Sequence, residues 1–95
     1  MDVASVASDI VNSKRMGLIP IIVQLSSDIE ANISPIYLLS VEYAADLILD
    51  CLEPESIIEC YQDRISVFDY RGWCDFYILN KHEEVARLVM ASITD

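Results

Sequence analysis

Residues 34–52 read Ser34-Pro35-Ile36-Tyr37-Leu38-Leu39-Ser40-Val41-Glu42-Tyr43-Ala44-Ala45-Asp46-Leu47-Ile48-Leu49-Asp50-Cys51-Leu52. Ser34 is a good N-cap residue and Pro35 suits the first helical position, so the stretch predicts one helix over 35–52, stopped by Glu53-Pro54. Such a helix is apolar nearly all round and belongs at the centre of a fold. The interruptions are acidic. At about 100° per residue, Glu42, Asp46, Asp50 and the terminal Glu53 fall within an arc of roughly 80°, each four-residue step rising about 6 Å.

On the N-terminal side, Asp2 is placed to cap a helix with Val3, Val6, Ala7, Ile10 and Val11 on one face, Lys14 and Arg15 in its last turn and Gly17 just beyond. Leu18 to Leu25 is apolar and β-branched, but Pro20 lacks an amide donor, which predicts an edge strand or the entry to one. Ser27 and Glu30 stand at capping-box spacing and suggest a single helical turn before Asn32. On the C-terminal side, Pro54 to Gln62 fits either a helix or a strand, and the acids after Pro54 tip the reading towards helix. From Arg64 the period changes to two. A hairpin over 64–70/73–79 is expected, with Asp69-Tyr70-Arg71-Gly72 as a type I turn followed by a glycine bulge. Asn80 and Glu83 mark the start of a last helix with Val85, Leu88, Val89 and Ile93 on one face.

These elements predict one small α+β domain over 1–95: a central apolar helix, flanking helices and a β-hairpin in a small antiparallel sheet. With 95 residues there is room for a single core. Leu, Ile, Val and Phe make up about a third of the chain, above the roughly 20% below which highly charged chains stay disordered. The order helix, strand, helix, helix, hairpin resembles that of winged-helix proteins, with Gly72 at the tip of the wing. The helix in the recognition position is acidic and apolar, so the resemblance implies a regulator working through protein contacts rather than a DNA reader.

The charge is unevenly distributed. The net charge is −10, and no Lys or Arg lies between Met16 and Asp63, a window holding nine acids: Asp28, Glu30, Glu42, Asp46, Asp50, Glu53, Glu55, Glu59 and Asp63. The rest of the chain sets seven acids against all six bases. Nucleic-acid binding draws its affinity from cations on phosphates, so direct DNA or RNA binding is disfavoured. Like charges four apart on a helix cost about 0.2–0.5 kcal/mol per pair, so the row adds nothing to helix stability. It serves either as a solvated face that keeps an apolar protein soluble or as the contact surface for a basic partner. The second reading takes Glu42, Asp46, Asp50 and Glu53, with Glu55 and Glu59 if 54–62 is helical, as the binding residues. The partner would be a basic-surfaced protein, in one form a nucleic-acid-binding protein that meets the acids as a mimic of phosphates.

Enzyme chemistry finds little support. The two glycines exclude a phosphate-cradling loop. His82, the single histidine, sits beside Glu83 and Glu84 at a helix start, where acids complement the macrodipole, and no metal-ligand spacing surrounds it. Cys51, Cys60 and Cys74 are odd in number and lack a C-x-x-C pair, which argues against both a disulfide framework and a zinc site and for a reducing, intracellular setting. Cys74 alternates in a strand as a small apolar residue would, and Trp73 and Tyr77 are expected on one half-buried sheet face. No cofactor is implied. The N-terminus lacks a signal-peptide pattern, and no apolar run approaches the roughly 18 residues of a membrane span. The reading is therefore a non-enzymatic acidic protein-binding module, an inhibitor or adaptor. The alternatives are the winged-helix-like regulator and a structural homo-oligomer, a homodimer in its simplest form, suggested by the apolar surface of so small a domain.

Overall fold

In a computed structural model of the protein, residues 3–27 and 34–94 are described. The elements run α1 (Val3–Arg15), β1 (Ile19–Leu25), β2 (Ile36–Leu38), α2 (Val41–Asp50), β3 (Ile57–Cys60), β4 (Ile65–Asp69), β5 (Gly72–Ile78) and α3 (His82–Ile93). The five strands form one antiparallel sheet in the order β2-β1-β5-β4-β3. The fold is α+β, as the periodicities predict.

The register sorts the side chains by face. Ile21 stands opposite Ile78, Val23 and Ile65 flank Phe76, and Val67 lies between Cys74 and Ile58. These residues pack with Ala44, Ala45 and Ile48 of α2 and Val85 and Val89 of α3 into one apolar core. α1 packs against β1, where Val6 is buried outside that cluster.

The central helix is shorter than its sequence suggests. Ser40, not Ser34, caps it: its extended backbone (φ −151°, ψ 163°) breaks the helix, and its hydroxyl accepts the Tyr43 amide at 3.2 Å. Ser34 and Pro35 therefore do not start a helix. Ile36–Leu38 pairs instead with Ile19–Ile21 of β1. The apolar girth of 35–52 thus comes from joining a strand to a helix. Ile48 is fully buried and Leu38 and Leu49 half-buried, but Leu39, between the two elements, is exposed.

Residues 54–62 are likewise not helical. Glu55 takes φ +69° within a turn closed by the Ser56 amide on the Glu53 carbonyl (3.1 Å) and the Glu53 amide on Ser56 Oγ (2.9 Å), after which Ile57–Cys60 pairs with β4. A strand after the helix, with β2 before it, also removes the winged-helix order: a single helix, not two, separates the first strands from the hairpin.

Pro20 is tolerated inside the sheet rather than at its edge. Its carbonyl accepts the Leu79 amide at 2.9 Å, just past the last residue of β5, so the donor it lacks falls where the ladder is already ending. At the last helix, Asn80 is not the cap. Its amide side chain donates to the Leu18 carbonyl at 3.4 Å, and Lys81, at φ +65°, opens α3 without a side-chain capping bond. The expected caps at Asp2 and over 27–32 lie wholly or partly outside the described residues.

The hairpin turn falls where its residues imply, but the strands pair residue for residue up to Asp69 and Gly72, without the expected bulge. Neither Tyr70 nor Arg71 takes positive φ, whereas Gly72 does, at +111°. A Cβ on Gly72 would meet Ser26 Oγ at 2.8 Å, but that atom ends a rotatable side chain, so backbone strain governs substitution there. Gly72→Ala is expected to destabilise the fold by about 1–3 kcal/mol in urea unfolding. Adding Ser26→Ala should recover little of it, and full recovery would assign the loss to the side-chain clash instead.

Candidate functional site

Helix α2 carries Glu42, Asp46 and Asp50 at four-residue spacing on the side opposite the buried Ala44, Ala45 and Ile48. All three are exposed, and none forms an ion pair among the described residues. Two of the chain's arginines are committed elsewhere. Arg64 lies 3.0 Å from Asp63 and 4.0 Å from Asp75, and Arg71 meets Asp69 at 2.5 Å and Glu53 at 3.9 Å. Among the described acids, Glu53, Asp63, Asp69 and Asp75 are thus compensated, whereas the three on α2 are not.

The elements themselves separate the six residues that the sequence groups together. Glu53 lies past the end of α2, half-buried, with its carboxylate turned to Arg71. Glu55 sits in the following turn, and Glu59 is on β3, where it accepts a hydrogen bond from the Tyr61 hydroxyl and raises that phenol's pKa. With 57–60 a strand, neither can continue the helical row. The structure keeps Glu42, Asp46 and Asp50 together and sets Glu53, Glu55 and Glu59 apart from them.

Arg71 organises the adjacent end of α2. Its guanidinium donates to the carbonyl of Cys51, the residue that ends the helix, at 3.1 Å and forks onto the Asp69 carboxylate. A cation there complements the negative end of the helix dipole and ties α2 to the β4–β5 turn. The sequence hides this role, because Arg71 is twenty residues from the carbonyl it reaches. Its hydrogen bonds hold the Asp69 carboxyl below the usual carboxylate range. A lowered folded pKa contributes stability that is complete above the ordinary aspartate value of about 3.9 and is lost as pH falls through the folded value. Asp69→Asn should therefore be less stable than the parent at neutral pH, and the gap should close on acidification below about pH 4. Urea midpoints across that range test this, and a gap independent of pH would contradict it.

The remaining reactive groups are poorly placed for catalysis. Cys51 and Cys74 line a cavity of about 400 Å³ at the end of the core, together with Val23, Val67 and Trp73. Burial pushes both thiols up, Cys74 to about 11, which suppresses the thiolate a nucleophile needs. His82, not brought to Cys74, shares a groove with Cys60, another thiol raised by burial. The imidazole is held by Nε2 against the Tyr61 carbonyl at 2.7 Å, a structural tie between α3 and the β3–β4 turn. Among the described residues no group of three His, Cys, Asp or Glu side chains could hold a metal ion, and no helix is long and apolar enough to cross a membrane. Trp73 and Phe68 pack ring against ring at 4.7 Å on the outer sheet face, and both remain exposed.

No protein-family model matches the chain, and neither a curated protein nor a solved structure matches it.

Proposed function

We propose that the chain is a non-enzymatic protein-binding module, an inhibitor or adaptor, that engages a basic surface of a partner protein through Glu42, Asp46 and Asp50 of α2. One observation carries the reading: these three carboxylates are exposed in a line and lack the internal cations that compensate Glu53, Asp63, Asp69 and Asp75. A line of charges about 6 Å apart along a rigid helix offers a partner's Lys and Arg a fixed set of positions. The same spacing allows a nucleic-acid-binding partner to receive the helix in place of phosphates. The three raised thiols and the hydrogen-bonded histidine support the non-enzymatic part.

The test is an affinity pull-down with the parent protein and with Asp46→Lys/Asp50→Lys, washed at low and at high salt. A partner of this face is retained by the parent at low salt, released at high salt and absent from the variant. Equal retention by both proteins would remove the row from the function and leave it a solvated surface.

A further inference from the structure

The edge of the sheet farthest from β2 offers a second surface of a different kind. β3 is the last strand in the order, and its four residues are mostly exposed. The Tyr61 amide donates to the Arg64 carbonyl at 2.8 Å, which fixes the alternation: Ile57, Glu59 and Tyr61 turn their main chain to β4, while Ile58 and Cys60 turn theirs outward. Edge strands are commonly guarded by shortness, charge, Pro or a bulge, and of these β3 has its short length and the charge of Glu59. Ile57–Cys60 contains no Lys or Pro and pairs with β4 residue for residue, without a bulge.

Both faces beside that edge are prepared for another strand. On the inner side, a groove of about 590 Å³ separates the end of β3 from α3, with Cys60, Tyr61, Ala86, Arg87 and Met90 in its walls. On the outer side, Ile57, Phe68 and Trp73 stand opposite one another across three strands as an apolar row that reaches the edge, with all three exposed. The next outward residue on β3 is Glu59. From Glu53 to Asp63 the chain has four acids and no Lys or Arg, and Glu55 and Glu59 form no ion pair among the described residues.

From this arrangement we propose that β3 receives an extended segment of a partner protein as a sixth strand, with apolar side chains turned into the groove beside α3 and a basic side chain turned outward beside Glu59. Main-chain hydrogen bonds at Ile58 and Cys60 supply the attachment, and the alternate side chains supply the selectivity. Charge decides between occupants. A second copy of this chain pairing through its own β3 would bring the unpaired Glu55 and Glu59 of both chains to one shared edge, whereas a basic strand neutralises them. None of the three α2 acids lines this groove, so the surface is distinct from them.

The experiment uses a short synthetic peptide alternating valine and lysine, with amide hydrogen exchange of the full chain followed by NMR. At a peptide concentration ten times its Kd, exchange at Ile58 and Cys60 should slow about tenfold. The same peptide N-methylated on its pairing edge, and a valine and glutamate version, should both fail to protect these amides. Glu59→Lys should weaken binding of the lysine peptide, and Asp46→Lys/Asp50→Lys should leave the protected amides the same. Absence of binding, binding without protection at Ile58 and Cys60, or equal binding of the N-methylated peptide overturns the proposal. So does finding these amides already protected in a protein that sediments as a dimer, which would give the edge to a second copy.

Discussion

Phe76→Ala is expected to lower stability by about 3–5 kcal/mol, the range for emptying a buried aromatic site. Phe76 occupies the middle of β5, the central strand, with Val23 on one side and Ile65 on the other, and is 1% exposed. Its ring joins the sheet to the core completed by α2 and α3, so neighbours on several elements would have to move to close the cavity. Because domains of this size are stable by roughly 5–15 kcal/mol in total, the variant should approach the unfolding threshold at room temperature. Phe76→Leu keeps much of the volume and should lose far less. Urea unfolding followed by tryptophan fluorescence measures both, and a loss below about 1 kcal/mol for the alanine variant would show that Phe76 does not join sheet and helices in one core.

The second large effect separates binding from folding. Asp46→Lys with Asp50→Lys should weaken the partner's affinity by at least about tenfold, or 1.4 kcal/mol, because two attractive contacts become repulsive. Folding stability should stay level or rise slightly. The pair at 42 and 46 changes from repulsive to attractive, the pair at 46 and 50 remains like-charged, and a cation at position 50 suits the helix C-terminus. A partner bound equally by parent and variant leaves the row with no role in recognition. A variant that fails to fold would instead mean that α2 depends on these carboxylates, which its exposed face gives no reason to expect.

What the sequence made legible follows from how local each signal is. α1 and the β4–β5 hairpin carry their own stop signs, Gly17 at φ +77° and Gly72 at φ +111°, and both form where the spacing put them. The three-residue β2 and four-residue β3 have no such autonomy. Ile36–Leu38 is extended because β1 lies beside it, and Ile57–Cys60 because β4 does. Neither partner can be read from the segment itself, and acids after a proline favour the wrong alternative. Ser34 and Ser40 were equally good caps by residue type, and only the pairing of Ile36–Leu38 with β1 selects the second.

The candidate site divides in the same way. Glu42, Asp46 and Asp50 share a face because the helical period is local, and they remain together. Glu53 left the row through Arg71, which the β4–β5 turn brings to the end of α2. Glu55 and Glu59 left it when their segment became a turn and a strand. The edge beside α3 was invisible from the sequence, since it exists only once β3 is last in the sheet and α3 runs alongside it.

The central claim, that the α2 carboxylates are a contact surface, is tested most directly by the partner's association rate as salt rises. Between 0.01 M and 1 M the Debye length shrinks from about 30 Å to about 3 Å, which removes long-range attraction between exposed charges and leaves short contacts in place. The parent protein should associate fast at low salt and slow steeply across that range, whereas Asp46→Lys/Asp50→Lys should start slow and respond far less. Equal rates for the two proteins, with equal dependence on salt, would contradict the account.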